Sequence, residues 1–228
     1  MTAMLSVKDV SCVREDRTLF QSLSFDVNAG DIIQIEGPNG AGKSTLLRIL
    51  TGLFPATEGE VWFKGASIIE DREQYLSEML FIGHHAGVKG EMTAEENLAF
   101  YLSLHGYELT PRTSDVDSTT DEALEQVGLY GFEDAFASSL SAGQHRRTAL
   151  ARLLPAISLT SKKPEETEQP QKCLWILDEP FTAIDKKGVA NLERWMTMHT
   201  EAGGAIVLTT HQDLGIACKR VKLDYQVD

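Results

Sequence analysis

A glycine-rich stretch from Gly37 to Thr45 carries the clearest chemical signal in the chain. It reads Gly-Pro-Asn-Gly-Ala-Gly-Lys-Ser-Thr and matches the phosphate-loop pattern, in which a glycine, four residues and Gly-Lys-Ser follow one another. Glycine lets backbone N–H groups approach a polyphosphate, Lys43 adds a positive charge, and the hydroxyl of Ser44 suits Mg²⁺. The pattern predicts a nucleotide site; the Lys-Ser pair argues against a plain glycine-rich turn. The predicted binding residues are Gly37, Pro38, Asn39, Gly40, Ala41, Gly42, Lys43, Ser44 and Thr45.

Apolar residues on both sides place this loop between a strand and a helix. Ile32, Ile33 and Ile35 precede it in a short apolar run typical of a buried strand. The residues that follow it recur at helical spacing, and they are Leu46, Leu47, Ile49, Leu50 and Leu53. The N-terminus of a helix adds a partial positive charge that attracts phosphate.

Two more apolar runs end in residues that can act on a phosphate. The run 174–177 leads to Asp178 and Glu179, and the run 205–208 leads to His211. Ligands bind outside the carboxyl ends of strands in open α/β sheets, so we expect these side chains near the phosphate loop. Asp178 would help to hold Mg²⁺, Glu179 would polarise or deprotonate the attacking water, and His211 would contact the γ-phosphate or orient that water. A solvated strand end and a structural histidine are the alternatives.

Composition excludes several classes of function. The chain has 228 residues, 42% of them hydrophobic, and a net charge of −13, which opposes sequence-independent nucleic-acid binding. The three cysteines show no metal-ligand spacing. No signal segment is evident, and no apolar run approaches the ~20 residues that a membrane-spanning helix needs. We therefore expect any membrane crossing to be supplied by a partner.

The remaining pattern predicts the secondary structure. We expect β structure over 1–30, strands around Val61 and Phe63 and over 79–82, a short helix over 71–78, and mainly helices over 91–158. The polar stretch 108–120 predicts a loop, with Thr119 and Glu122 as a capping box for the helix that follows. Residues 160–172 contain no aliphatic or aromatic core former and predict a flexible surface insertion.

A further motif, Leu140-Ser141-Ala142-Gly143-Gln144, opens a predicted helix. Together with the motifs above, in this order, it makes the chain similar to the ABC transporter ATPase family, whose signature is Leu-Ser-Gly-Gly-Gln. The resemblance covers nearly the whole chain. It implies one P-loop NTPase domain over 1–228, of α/β class, with a parallel-sheet core, an antiparallel β subdomain and a helical subdomain at about 91–158. It also implies ATP and Mg²⁺ as cofactors and a two-fold dimer, in which Ser141, Gly143 and Gln144 bind the ATP held by the other protomer.

Two positions depart from the family pattern. Arg14 stands where the family has an aromatic residue that stacks on adenine; a guanidinium can also stack on a base, although a solvated surface charge is an equal alternative. His85 aligns with the glutamine that senses Mg²⁺ and the attacking water, and a neutral histidine can accept a hydrogen bond.

Within the family, the chain resembles the ATP-binding subunits of cytochrome c maturation, or haem export, systems. Segments that carry this resemblance include Ile82-Gly83-His84, 93–98 and 174–185. The resemblance implies integral membrane partners of the CcmB and CcmC kind, a peripheral place on the cytoplasmic face of the inner membrane, and ATP use in releasing a haem-loaded chaperone. Three alternatives stay open: a subunit of another ABC transporter, a soluble ABC ATPase acting on nucleic acid or ribosomes, and a nucleotide-gated scaffold without turnover. The net negative charge argues against the soluble ATPase. Glu179 and His211 argue against the scaffold.

Overall fold

The structure, a computed structural model, describes residues 2–104, 116–160 and 173–224. Two sheets and a group of helices make up these parts of the chain. The strands are β1 (Leu5–Arg14), β2 (Arg17–Val27), β3 (Ile32–Glu36), β4 (Glu58–Phe63), β5 (Ala66–Ser67), β6 (Met79–Ile82), β7 (Leu174–Asp178), β8 (Ala205–Thr209) and β9 (Lys219–Lys222). The helices are α1 (Lys43–Leu50), α2 (Arg72–Glu78), α3 (Ala94–Leu104), α4 (Val116–Gln126), α5 (Ala142–Leu150), α6 (Leu153–Thr160) and α7 (Lys186–Glu201).

The central sheet is parallel, with strand order β6-β7-β8-β3-β9. Every residue of β7 and of β8 is buried, as expected for strands covered on both faces. Successive side chains point to opposite faces: Leu174 and Ile176 pack on the side of α1, whereas Trp175 and Leu177 pack against α5, α6 and α7. The predicted buried strands and their parallel arrangement are therefore confirmed.

The second sheet is antiparallel, in the order β2-β1-β4-β5. Val7, Val61 and Phe63 from this sheet share one apolar cluster with Ile33 and Ile35 of β3 and with α1. The β structure expected before residue 30 and the strand at Val61 and Phe63 are both present. The packing of this sheet on α1 places its β1–β2 end beside the phosphate loop.

The helices between β6 and β7 have an apolar cluster of their own. Leu98 and Leu102 of α3 pack there against Leu124 of α4 and Ala151. The first of the helices expected over 91–158 begins at Ala94, with the Thr93 side chain accepting the Glu96 N–H. None of the helices in the described parts of the chain is long and apolar enough to cross a bilayer.

Three predicted boundaries need correction or fall outside the described residues. Leu53 is not on the face of α1, because the helix ends at Leu50, the chain reverses at Gly52 with φ of +69°, and Leu53 is 60% exposed. Residues 116–120 are helical rather than loop, so Thr119 lies inside α4 and does not cap it. Residues 105–115 and, apart from Thr160, the predicted insertion 160–172 lie outside the described residues.

Candidate nucleotide-binding and catalytic site

The phosphate loop joins β3 to α1, as the sequence predicts. Gly42 is the N-cap of α1 with φ of +94°, a conformation that favours glycine. A Cβ atom at Gly42 would lie 3.1 Å from Leu19 Cβ. The start of β2, which carries Leu19, therefore packs directly against the loop. The Lys43 ammonium donates hydrogen bonds to the carbonyl oxygens of Gly37 (2.6 Å) and Pro38 (3.3 Å). The lysine side chain thus folds back along the loop that is expected to hold the phosphates.

Asp178 at the end of β7 lies directly behind the first turn of α1. Its Oδ1 accepts hydrogen bonds from Ser44 Oγ at 3.2 Å and from Thr209 Oγ1 at 2.7 Å. Asp178 is only 3% exposed, so these two hydroxyl groups fix its orientation. Ser44 and Asp178 are 134 residues apart in sequence, and the fold brings together the two predicted metal-binding side chains.

Glu179 turns away from the strand by a left-handed backbone conformation. Its φ is +50°, which is uncommon for a residue with a side chain. Its backbone N–H donates to Thr209 Oγ1 at 3.0 Å. The Glu179 carboxylate then lies 3.6 Å from His211 Nε2, measured to Oε1. The two residues that were predicted to act on water are therefore neighbours.

These elements enclose a cavity of about 410 Å³ beside the phosphate loop. It brings together the loop, the end of the β1–β2 hairpin, and the ends of three strands. Its lining comprises Arg14, Leu19, Asn39, Gly40, Gly42, Lys43, Ser44, Thr45, His84, Glu179 and His211. Arg14 lies on the wall where the adenine was expected, with its guanidinium over the Phe54 ring at 5.8 Å.

Of the two adjacent histidines, His84 but not His85 lines the phosphate-loop cavity. His84 lines the phosphate-loop cavity, whereas His85 lines a neighbouring cavity of about 340 Å³ together with His84, Arg48 and Asp178. Their rings meet edge to face with centroids 5.6 Å apart. Sequence alignment assigned the water-sensing role to His85 and gave none to His84. The geometry places His84 on the wall of the predicted ATP cavity, so both residues are candidates for that role.

The signature motif caps helix α5. Ser141 Oγ accepts the Gln144 N–H at 3.3 Å, and Gln144 Oε1 accepts the Ser141 N–H at 2.8 Å, which forms a capping box. A Cβ at Gly143 would lie 2.9 Å from the carbonyl oxygen of Ala183, so glycine permits a close approach to the segment after β7. Among the described residues that line the phosphate-loop cavity, none belongs to this motif. Ser141 is exposed.

Arg146 is a site residue whose role sequence reasoning missed. The sequence pattern assigns no role to Arg146, yet its side chain is buried, with 6% of the residue exposed. Its Nη1 donates to the Gly83 carbonyl at 2.8 Å, and its Nη2 donates to the carbonyls of Asp178 and Glu179, both at 2.7 Å. Burial lowers the pKa of the Arg146 guanidinium, and the Asp178 and Glu179 carboxylates oppose that shift. The available signal was its helical spacing from the apolar residues Ala149 and Leu150, three and four positions further along the chain.

Sequence comparison places this site in a known family. A family model described as ABC transporter matches residues 20–158. A protein of Shewanella frigidimarina is 50% identical over 228 residues, covering 98% of this chain and 95% of that protein. The chain belongs to the ABC transporter family. Its relatives in Colwellia psychrerythraea (48% identity, 100% of this chain and 95% of the relative) and Vibrio cholerae (50%, 92% and 92%) carry the same name as the first, "Cytochrome c biogenesis ATP-binding export protein CcmA". The chain is thus an ABC ATP-binding protein of the CcmA type.

Solved structures of ABC proteins share the fold. A dimeric bacterial ABC transporter cassette matches with a TM-score of 0.78 at 23% identity, covering 98% of this chain and 97% of the cassette. A putative ABC transporter ATP-binding protein from Pyrococcus furiosus matches with a TM-score of 0.74 at 22% identity, covering 96% of each chain. The expected P-loop NTPase architecture, with its parallel and antiparallel sheets and its helices, is confirmed.

Proposed function

We propose that this ABC protein hydrolyses ATP with Glu179 as the general base and powers a membrane complex of cytochrome c maturation. The observation that carries the proposal is the convergence of Glu179 and His211 on the cavity of the phosphate loop, 3.6 Å from each other. A scaffold that only binds nucleotide has no need for a carboxylate and an imidazole at that place.

The binding part of the mechanism belongs to the phosphate loop and α1. The loop's backbone N–H groups and the N-terminus of α1 would hold the phosphates, and Lys43 would exchange its contacts with Gly37 and Pro38 for contacts with the β- and γ-phosphates. Arg14 and Leu19 lie on the wall that would face the base. The guanidinium would stack on adenine in the manner that planar cations allow.

The donor set fits Mg²⁺. Ser44 and Asp178 offer a hydroxyl and a carboxylate oxygen, and oxygen is the donor that this cation prefers. No cluster of three or more His, Cys, Asp or Glu side chains suited to a metal exists within the described ranges, so the phosphates would complete the ligands, which is usual for Mg²⁺. When bound, the ion supplies charge neutralisation on the outer phosphates.

Glu179 and His211 would act on the attacking water. A carboxylate at the end of a buried strand can accept the water's proton as the γ-phosphoryl bond breaks. His211 is largely exposed at the mouth of the cavity. It would contact both Glu179 and the γ-phosphate and so orient them relative to each other. His85 would stand in for the family's glutamine.

Two copies of the chain would assemble through the signature motif. The exposed, capped N-terminus of α5 would bind the ATP of a second copy through Ser141, Gly143 and Gln144, which gives a two-fold dimer with two ATP molecules at its interface.

Membrane subunits of the CcmB and CcmC kind would cross the inner membrane, and the ATPase dimer would bind them at its cytoplasmic face. The name shared by the CcmA relatives supports the pathway. Release of a haem-loaded chaperone would be the step that ATP drives.

Complementation tests the pathway. In cells that lack their own ATP-binding subunit but keep the membrane partners, this chain should restore covalent haem attachment to c-type cytochromes, and the Glu179→Gln variant should not. Both proteins should be recovered in equal amounts with the membrane fraction. Failure of the wild-type chain to restore haem attachment would contradict the proposed pathway role, whereas normal cytochrome c production with the Glu179→Gln variant would contradict the need for Glu179.

A further inference from the structure

We propose that Arg146 is a positioning residue that holds the backbone of Glu179 and ties it to helix α5. The proposal rests on the function proposed above, because it gives Glu179 its role in hydrolysis. Arg146 itself lies under the cavity wall rather than on it and is not expected to touch ATP. Its three hydrogen-bond acceptors are all backbone carbonyl oxygens at the ends of β6 and β7.

The contacts with Asp178 and Glu179 determine the conformation of Glu179. Their two carbonyl groups flank the Glu179 Cα on either side, and a single nitrogen, Arg146 Nη2, bonds to both at 2.7 Å. Since both peptide units must point at the same nitrogen, φ and ψ of Glu179 are restrained together. The φ of +50° is unfavourable for a residue with a Cβ atom, so it needs such support. The Thr209 hydroxyl fixes the N–H of the same residue from the opposite side.

The contact with Gly83 extends the restraint to β6. Nη1 of Arg146 bonds to the Gly83 carbonyl at 2.8 Å, and the next residue, His84, lines the phosphate-loop cavity. One guanidinium therefore fixes the two chain segments that carry Glu179 and His84. A lysine cannot replace it, because its single ammonium lacks the planar fork needed to reach acceptors on two strands.

Arg146 also links Glu179 to the signature motif, Leu140 to Gln144. Arg146 lies in the same nine-residue helix as Gly143 and Gln144, and the start of this helix also packs closely on Ala183. A displacement of α5 would therefore move the guanidinium relative to Glu179. In the proposed dimer, ATP bound to this motif from the second protomer would favour the position of α5 that aligns Glu179. Arg146 would thus connect one ATP site to the carboxylate of the other.

The test compares Arg146→Lys and Arg146→Gln with Arg152→Lys. Arg152 is the matched control, because it is also buried on the helical side, donates to the Gly87 carbonyl at 2.9 Å and stacks on Tyr101, but does not contact Glu179. Rates are expressed per folded, ATP-binding molecule, so that partial unfolding does not count as slower chemistry. We expect the Arg146 variants to lose about 10- to 100-fold in kcat, since a misplacement of about 1 Å can cost 10²-fold. Their Kd for ATP should stay within about twofold of wild type, and Arg152→Lys should keep its kcat.

A double variant separates positioning from general destabilisation. If Arg146 acts through Glu179, Arg146→Lys/Glu179→Gln should hydrolyse ATP in a single turnover as slowly as Glu179→Gln alone. A further loss equal to that of Arg146→Lys would overturn the proposal, and so would wild-type kcat in both Arg146 variants beside an inactive Glu179→Gln. Wild-type hydrolysis by Glu179→Gln would instead contradict the proposed function, on which this inference depends.

Discussion

The carboxylate of Glu179 and the imidazole of His211 lie 3.6 Å apart, although they follow different strands, β7 and β8. Parallel pairing aligns Asp178 with Thr209 at the ends of these strands. Glu179 and His211 therefore leave the sheet at the same edge, beside the loop that begins at Gly37. This relationship places a base and an orienting group at one cavity.

His211→Gln should slow hydrolysis and leave ATP binding intact. The imidazole lies beside Glu179 at the mouth of the cavity, so its loss should remove orientation of the water rather than affinity. We expect kcat to fall by about 10²-fold, at the low end of what a positioned acid–base group contributes. Steady-state kinetics and nucleotide titration check this, with Gln212→Ala as the neighbouring control. A rise in Kd for ATP with unchanged kcat would assign His211 to binding alone.

Lys43→Ala should weaken ATP binding and turnover together. The ammonium lies within the phosphate loop, and a hydrogen bond to a charged group contributes roughly 1.5–3 kcal/mol, or about 10- to 100-fold in affinity. Isothermal titration with ATP and with ADP measures the loss. Lys222→Ala, a surface lysine at the end of β9, controls for the change in net charge. Equal losses in the two variants would attribute the effect to overall charge.

His85→Gln should preserve hydrolysis and His85→Ala should slow it, because glutamine, like a neutral histidine, can accept a hydrogen bond and alanine cannot. The matched variants are His84→Gln and His84→Ala, because His84 lines the cavity of the phosphate loop. The kcat values of the four proteins decide between the positions. Slower hydrolysis by His84→Ala together with unchanged hydrolysis by His85→Ala would transfer the role to His84.

How much of this site the sequence could predict depended on local patterns. The phosphate loop, Asp178, Glu179 and His211 were predictable because apolar runs mark buried parallel strands, whose polar ends meet at one edge. The start of α4 at Val116 was not, since the four residues that follow Val116 are polar and resemble a loop. Arg146 was not predictable either, because its three acceptors are backbone carbonyls distant in sequence. Which of His84 and His85 faces the cavity depends on the turn after Gly83, for which no periodicity exists.

The free energy of unfolding should decrease as the pH is lowered from about 6.5 to about 4, because His199 stays neutral in the folded protein over that range. His199 is fully buried, stacks on Trp175 at 3.9 Å and contacts the Cys173 carbonyl, and burial lowers its pKa to about 4 from 6.5. Below pH 6.5 the unfolded chain binds a proton that the folded chain does not, so stability decreases towards pH 4. At about 1.4 kcal/mol per pKa unit, the total loss is about 3 kcal/mol.

Urea denaturation of wild type and His199→Phe at several pH values checks this expectation. Phenylalanine keeps an aromatic ring against Trp175 and removes the titrating group. The free energy of unfolding of wild type minus that of His199→Phe should decrease as the pH falls from 6.5 to 4. A constant difference across that range would show that His199 contributes nothing to acid sensitivity.

The most direct measurement is single-turnover ATP hydrolysis by Glu179→Gln beside wild type, together with the Kd for ATP and the size of the complex in solution. Glutamine keeps the shape of the side chain and removes the carboxylate that lies beside His211. We expect hydrolysis to fall by about 10²-fold or more, ATP to bind as tightly as to wild type, and an ATP-bound dimer to accumulate. Hydrolysis at the wild-type rate would contradict the assignment of Glu179 as the general base and, with it, the proposed mechanism.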